Sequence, residues 1–81
     1  MEKAYVLLNV DLDSGKEVLD FIKEIPGVKE AFRLYGVYDL IIHIEAETVQ
    51  DLKDLVADRI RVIRKIRSTL ALICIRARPS K

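Results

Sequence analysis

Apolar residues recur along this chain with two periods, and the switches between them mark its elements. Residues 3–11 alternate, with Val6, Leu8 and Val10 set against Tyr5, Leu7 and Asn9, which predicts a strand. Val18, Ile22 and Ile25, joined by Leu19, then recur every three to four residues, as on one face of a helix. Ser14 and Glu17 have capping-box spacing at its start, and Pro26-Gly27 closes it. Alternation returns over 28–35, where Val28, Glu30, Phe32 and Leu34 oppose Lys29, Ala31, Arg33 and Tyr35. It resumes over 38–45, with Leu40, Ile42 and Ile44 against Ile41 and His43, and Gly36 between the two runs predicts an antiparallel hairpin. Thr48 followed by Asp51 predicts a second helix cap. Val49, Leu52, Leu55, Val56, Ile60 and Ile63 keep helical spacing to about Arg64. A last strand is predicted over 69–76, with Leu70, Leu72 and Cys74 facing the helices and Ala71, Ile73 and Ile75 opposite. Residues 78–81 read as a short polar tail.

The order strand-helix-strand-strand-helix-strand predicts an α+β, ferredoxin-like βαββαβ fold. In it, a four-stranded antiparallel sheet carries both helices on one face and has its first and third strands central. Residues 1–81 are expected to form one domain, small enough to bury only about 60% of its unfolded surface. The other face of the sheet is expected to present Tyr5, Leu7, Ile41, His43, Ala71, Ile73 and Ile75. A monomer rarely leaves such a patch in water. Hiding it contributes several kcal/mol at about 25 cal/mol per Å2, so a sheet-to-sheet homodimer, an α/β sandwich, is expected.

Composition narrows the function classes. The chain is 51% hydrophobic and 33% charged with a formal net charge of +1, as expected of a folded protein without a bulk pull toward nucleic acid or membranes. One cysteine and one histidine exclude an internal disulfide and a Cys- or His-rich metal site within one chain, so no metal or other cofactor is expected. No apolar run approaches the roughly 20 residues of a membrane helix, and the start does not read as a signal peptide; a soluble, cytoplasmic protein is expected. Every charged residue from Arg59 onward is basic, whereas all 13 acidic residues precede it. That asymmetry complements a helix dipole or forms an anion or nucleic-acid patch. No aromatic is interleaved with those bases and no helix-turn-helix sequence is present, so direct DNA binding is not expected.

Catalytic signatures are lacking. The sequence has no Gly-rich phosphate loop, nucleophile elbow or paired His and Cys, and no enzyme is expected. Cys74 reads as a small hydrophobe. His43 reads as a packing residue or as a pH-sensitive or ligand contact. Asp51, Asp54 and Asp58 read as a solvated helix face. In Tyr35-Gly36-Val37-Tyr38-Asp39, glycine permits a tight turn and close approach of a small molecule. Asp39 suits either a turn-stabilising role or an ammonium partner.

Gly36, Tyr38 and Asp39 form a Gly-x-Tyr-Asp pattern, followed by the apolar strand, the Leu52-rich helix and Thr69 before the final apolar run. Over nearly the whole chain this resembles the effector-binding (RAM) domain of the Lrp/AsnC feast/famine regulators. The resemblance implies a ferredoxin-like fold, dimers formed through the sheets, assembly into tetramers to octamers, and amino-acid effectors held between dimers. Carried over, Gly36, Val37, Tyr38 and Asp39 form one wall of that site and Ser68, Thr69 and Ala71 another. Asp39 engages the effector's amino group, and backbone amides or hydroxyls its carboxylate. Three positions depart from the family pattern: Tyr35 replaces a small hydroxyl residue, Ala71 the second threonine of a Thr-x-Thr pair, and Lys65 a glycine. The first strand begins at Lys3, so a stand-alone type without the helix-turn-helix domain is expected. Such a domain would regulate transcription indirectly, by ligand-dependent assembly or by co-assembly with full-length regulators. The alternative is a structural assembly or partner-binding module with no functional effector site.

Overall fold

Strand β1 (Glu2–Val10) is interior to the sheet: Ala4, Val6, Leu8 and Val10 are buried, and its backbone pairs along both edges. The computed structural model describes residues 1–75. Arg76, Arg78 and Lys81 of the basic run, and the end of the predicted last strand, lie outside the described residues. After β1 come α1 (Gly15–Lys23), β2 (Val28–Arg33) and β3 (Leu40–Ala46). Then follow α2 (Val49–Leu55), a π-helical turn (Val56–Ile60) that continues it, and β4 (Ile66–Cys74). The strand order is β2-β3-β1-β4 and every pairing is antiparallel. This is the ferredoxin-like arrangement that the alternation predicts, with the first and third strands central. Val18 and Ile22 of α1 join Leu52, Val56 and Ile60 over one face of the sheet, against Val6, Leu8, Leu40, Ile42 and Ile44.

The two helices start differently. Thr48 caps α2 as predicted, its Oγ1 accepting from the Asp51 N–H at 3.0 Å. The capping box at α1 does not form: Ser14 makes no side-chain capping bond, and Glu17 instead accepts from Lys65 Nζ at 2.7 Å. The long-range ion pair draws the carboxylate away from the helix end. Beyond Leu55 the helix widens, with the Arg61 N–H donating to the Val56 carbonyl at 2.8 Å, and it ends before the predicted Arg64. In an α-helix, a step of four residues rotates a side chain by about 40°. The wider turn takes up that drift, so Leu52, Val56 and Ile60 all reach the core.

Two register shifts decide which side chains face which way. Val28 pairs with Ile44 but Glu30 pairs with His43, so Lys29 is left over and the alternation of β2 resets. Val28 thus packs on the core while Phe32, opposite Ile41, is exposed. Strand β4 reverses the expected sides. Ala71 pairs with Val6 and Ile73 with Ala4, and both pack against the core under the helices. Leu70 and Leu72 pair with Leu7 and Tyr5 on the bare face, where Cys74, opposite Lys3, also lies. Ala71 and Ile73 are therefore removed from the expected dimer face, and Ile75 lies beyond the last residue of β4. Aliphatic residues on both sides of this strand make its own alternation uninformative, and pairing with β1 decides the matter.

Gly27 joins α1 to β2 with φ +99°, and its carbonyl accepts from the Glu45 N–H at 2.9 Å. A Cβ there would lie 2.6 Å from Leu55 Cδ1 and 3.3 Å from the Glu45 carbonyl oxygen. Gly27→Ala therefore combines backbone strain with overpacking and is expected to cost about 1–3 kcal/mol. The measurement is the urea midpoint at unchanged m-value; a midpoint equal to the parent's would contradict the tight packing at this corner.

Candidate functional site

The β2–β3 hairpin is closed by the Leu34 N–H donating to the Asp39 carbonyl at 2.8 Å, and Asp39 is then tied to the central strand twice. Its N–H donates to the Leu8 carbonyl, and its carboxylate Oδ2 accepts from the Val10 N–H, each at 2.8 Å. The second bond lies on the β3 edge of β1, beyond the last β1–β3 pair, Leu8 with Leu40. The opposite edge carries an irregularity in the β1–β4 ladder. Asn9 pairs with Ser68 but Val10 pairs with Ile66, so Arg67 has no partner and forms a β-bulge. Asn9 Nδ2 donates to Ser68 Oγ at 3.1 Å across the same end of the sheet.

An open cavity of about 450 Å3 lies at this place, lined by Asn9, Val10, Val37, Asp39, Arg67 and Ser68. A second, of about 340 Å3, borders it toward the start of α1 and adds Arg33, Asp11 and Asp13; Val10, Asp39 and Arg67 line both. Arg33 lies across Gly15, its guanidinium nitrogens about 3 Å from where a Cβ would stand. The site thus mixes carboxylate, guanidinium, amide and hydroxyl groups, the donor and acceptor set suited to a small polar ligand bearing both charges.

Of the residues expected to form the two walls, Val37, Asp39 and Ser68 meet at this cavity. Gly36 stands in open space with no atom within 4 Å of an added Cβ, and its backbone is not in the left-handed region. The turn that glycine permits there is thus made without a left-handed backbone. Tyr38 is half-buried and does not line the cavity. Thr69 pairs with Leu8 and Ala71 with Val6, so both belong to the helix-facing side of β4, and Ala71 lines an apolar cavity with Leu52 and Val56. Of the expected wall of Ser68, Thr69 and Ala71, only Ser68 lines this cavity, and Arg67 lines it beside Ser68. Arg67 was hidden because β4 begins at Ile66, before the predicted start, and only pairing with β1 exposes the bulge.

The bare face of the sheet is apolar and carries one aromatic pair. Tyr5 stacks on His43 with ring centroids 5.1 Å apart and planes 22° from parallel. His43 Nδ1 lies 3.7 Å from Glu30 Oε1 and Nε2 3.3 Å from Glu45 Oε2. The latter approach lacks hydrogen-bond geometry, so buried Nε2 has no hydrogen-bond partner among the described residues. Around this pair lie Leu7, Ile41, Phe32, Leu70 and Leu72, the last three exposed.

A ferredoxin-like sheet with one bare apolar face and a polar cavity beside its hairpin places this chain among the small α+β ligand-binding domains. The profile of the Lrp/AsnC ligand binding domain matches residues 3–79, and the chain belongs to that family. It is 33% identical over 73 residues to an uncharacterized HTH-type transcriptional regulator of Pyrococcus horikoshii, across 86% of this chain and 49% of the regulator. The chain therefore spans about half the length of that relative. The crystal structure of FFRP-DM1 superposes with a TM-score of 0.89 at 35% identity, covering 93% of this chain and 100% of that one. A transcriptional regulator from Neisseria meningitidis, solved as its L-Met complex, shares the fold alone. Its TM-score is 0.81 at 13% identity, over 93% of this chain and 50% of that one. The matched relatives are regulators, and no described helix is long and apolar enough to cross a membrane.

Removing the Asp39 carboxylate leaves the Val10 N–H without its acceptor. Asp39→Ala is expected to cost about 1–3 kcal/mol, and Asp39→Asn, which keeps a carbonyl oxygen, less. Gly36→Ala is expected to stay within about 0.5 kcal/mol of the parent. Urea denaturation of the three variants checks the ranking; a Gly36→Ala loss larger than that of Asp39→Ala would contradict both roles.

Proposed function

We propose that this chain is an amino-acid-sensing domain that acts through assembly, binding its effector beside Asp39 and dimerising through the bare face of its sheet. The observation that carries the reading is the cavity where Asp39, Val37 and Ser68 converge at the end of the central strand. Membership of the Lrp/AsnC ligand binding domain family supports it, as does a fold relative solved with L-Met bound. Tyr35 and Val37 stand fully in solvent at the tip of the hairpin loop, where a second dimer can close over the cavity. Effector binding then shifts assembly by as much as its affinities for the open and closed arrangements differ.

The sheet face supplies the dimer. Tyr5, Leu7, Phe32, Ile41, Leu70 and Leu72 form an apolar surface that no described element of the chain covers. Its burial at about 25 cal/mol per Å2 offsets the entropy of association. Higher oligomers, from tetramer to octamer, and co-assembly with full-length regulators through the same face extend the reading to indirect control of transcription. The domain, over residues 1–81, is read as cytoplasmic and non-enzymatic. His43 and Cys74 sit on β3 and β4 with β1 between them, so they form no nucleophile-base pair.

One observation favours a second reading, an assembly module without an effector site. Thr69 and Ala71 lie on the helix-facing side of β4, away from the Asp39 cavity. Light scattering and calorimetry separate the two readings. The unaltered chain is expected at twice its 9.3 kDa mass or more, and Leu72→Glu, which sets a charge opposite Tyr5, at 9.3 kDa. At least one standard L-amino acid, L-methionine being the first probe, is expected to bind. A 9.3 kDa particle at every loading of the unaltered chain would overturn the assembly reading. Silence toward every amino acid with assembly intact would select the module without an effector site.

A further inference from the structure

Two features meet at the end of β1. The Val10 N–H, on the edge toward β3, donates to Asp39 Oδ2 at 2.8 Å, and on the opposite edge the β1–β4 bulge takes Arg67 out of the strand ladder. Bulges re-aim side chains in this way beside binding sites. Arg67 lines both cavities that flank Asp39, yet among the described residues it forms no ion pair, with Asp39 or with any other carboxylate. Asp39 uses one carboxylate oxygen on Val10, and its Oδ1 makes no hydrogen bond among the described residues. Arg67 and Asp39 therefore line one cavity with no ion pair between them. A guanidinium fork suits a carboxylate through two parallel hydrogen bonds, and a free carboxylate oxygen suits an ammonium group.

We propose that Arg67 is the carboxylate-recognising residue of this site. With Asp39 on the ammonium group, the pair selects α-amino acids in their zwitterionic form over amines or acids that carry only one of the two charges. This assigns the carboxylate to a side chain in place of the backbone amides or hydroxyls expected from the family resemblance, and it rests on the amino-acid reading above. The complementarity is one charge to one charge, since Asn9 and Ser68 on the same wall are neutral and bonded to each other.

The test is isothermal titration of the full chain with each of the twenty standard L-amino acids, then with the decarboxylated and deaminated analogues of every one that binds. The same titrations are run on Arg67→Gln and Arg67→Lys after their urea midpoints and oligomeric masses are matched to the parent's. Arg67→Gln is expected to weaken amino-acid binding about tenfold or more, the loss that follows from removing a charged hydrogen-bond partner. Arg67→Lys, which keeps the charge without the fork, is expected to fall between. The decarboxylated analogue is expected to bind the parent weakly and Arg67→Gln equally weakly, since it lacks the group Arg67 holds. Amino-acid affinity within threefold of the parent in Arg67→Gln would overturn the role of Arg67 and leave the amino-acid reading standing. So would an equal loss for the amino acid and its decarboxylated analogue. No binding of any amino acid to the parent would overturn both.

Discussion

The central strand is hydrogen-bonded on both edges, and this double pairing sets the direction of the side chains across the sheet. Ala4, Val6, Leu8 and Val10 point to the helices, which obliges Ile42, Ile44, Ala71 and Ile73 opposite them to do the same. Tyr5 and Leu7 point away and carry Ile41, His43, Leu70 and Leu72 with them. The core and the bare face are thus two sides of one constraint. Since both helices lie on one side, no described element covers the other.

The candidate site lies where the same strand ceases to pair regularly on both edges. Up to Asn9 the register with β4 is constant; at Val10 it slips by one residue. On the other edge β3 stops pairing at Leu40, and the Val10 N–H there needs an acceptor, because a partly buried amide without one is costly. Asp39 supplies it from the hairpin. The structural role of this residue is compatible with the proposed one: one carboxylate oxygen anchors the strand end and the other makes no hydrogen bond among the described residues. The hairpin loop needs no glycine conformation at Gly36, whereas the α1–β2 corner does need one at Gly27, where Leu55 and the backbone of Glu45 press close.

In the proposed function, assembly and binding are connected through this geometry. In the proposed dimer, a face of Tyr5, Leu7, Phe32, Ile41, Leu70 and Leu72 would join two copies back to back and direct the open ends of both sheets, with their cavities, toward further partners. That pairing would also enclose the Tyr5–His43 stack, with Glu30 and Glu45 at its margin. Regulation by a domain of this kind needs no chemistry beyond a difference in affinity between two arrangements of the same subunits.

Much of the fold was legible in the residues themselves. Strict alternation in β1 and β3, helical spacing in α1 and α2, the Thr48 cap and the Pro26-Gly27 corner are local signals, and each reflects the geometry of its own segment. Ser14 and Glu17 carried a local signal that a distant lysine overrode. In β4, Leu70, Leu72 and Cys74 are as apolar as Ala71 and Ile73, so the segment alone did not say which side it buries. Part of the candidate site was visible as Val37, Asp39 and Ser68. Arg67 was not, because a bulge is a property of two paired strands. Sequence periodicity thus determined which elements form and in what order, since it reports backbone geometry within a segment. Tertiary pairing alone decided which face of β4 is buried and which residues meet at the cavity, because register is set by hydrogen bonds to a strand more than fifty residues away in the chain.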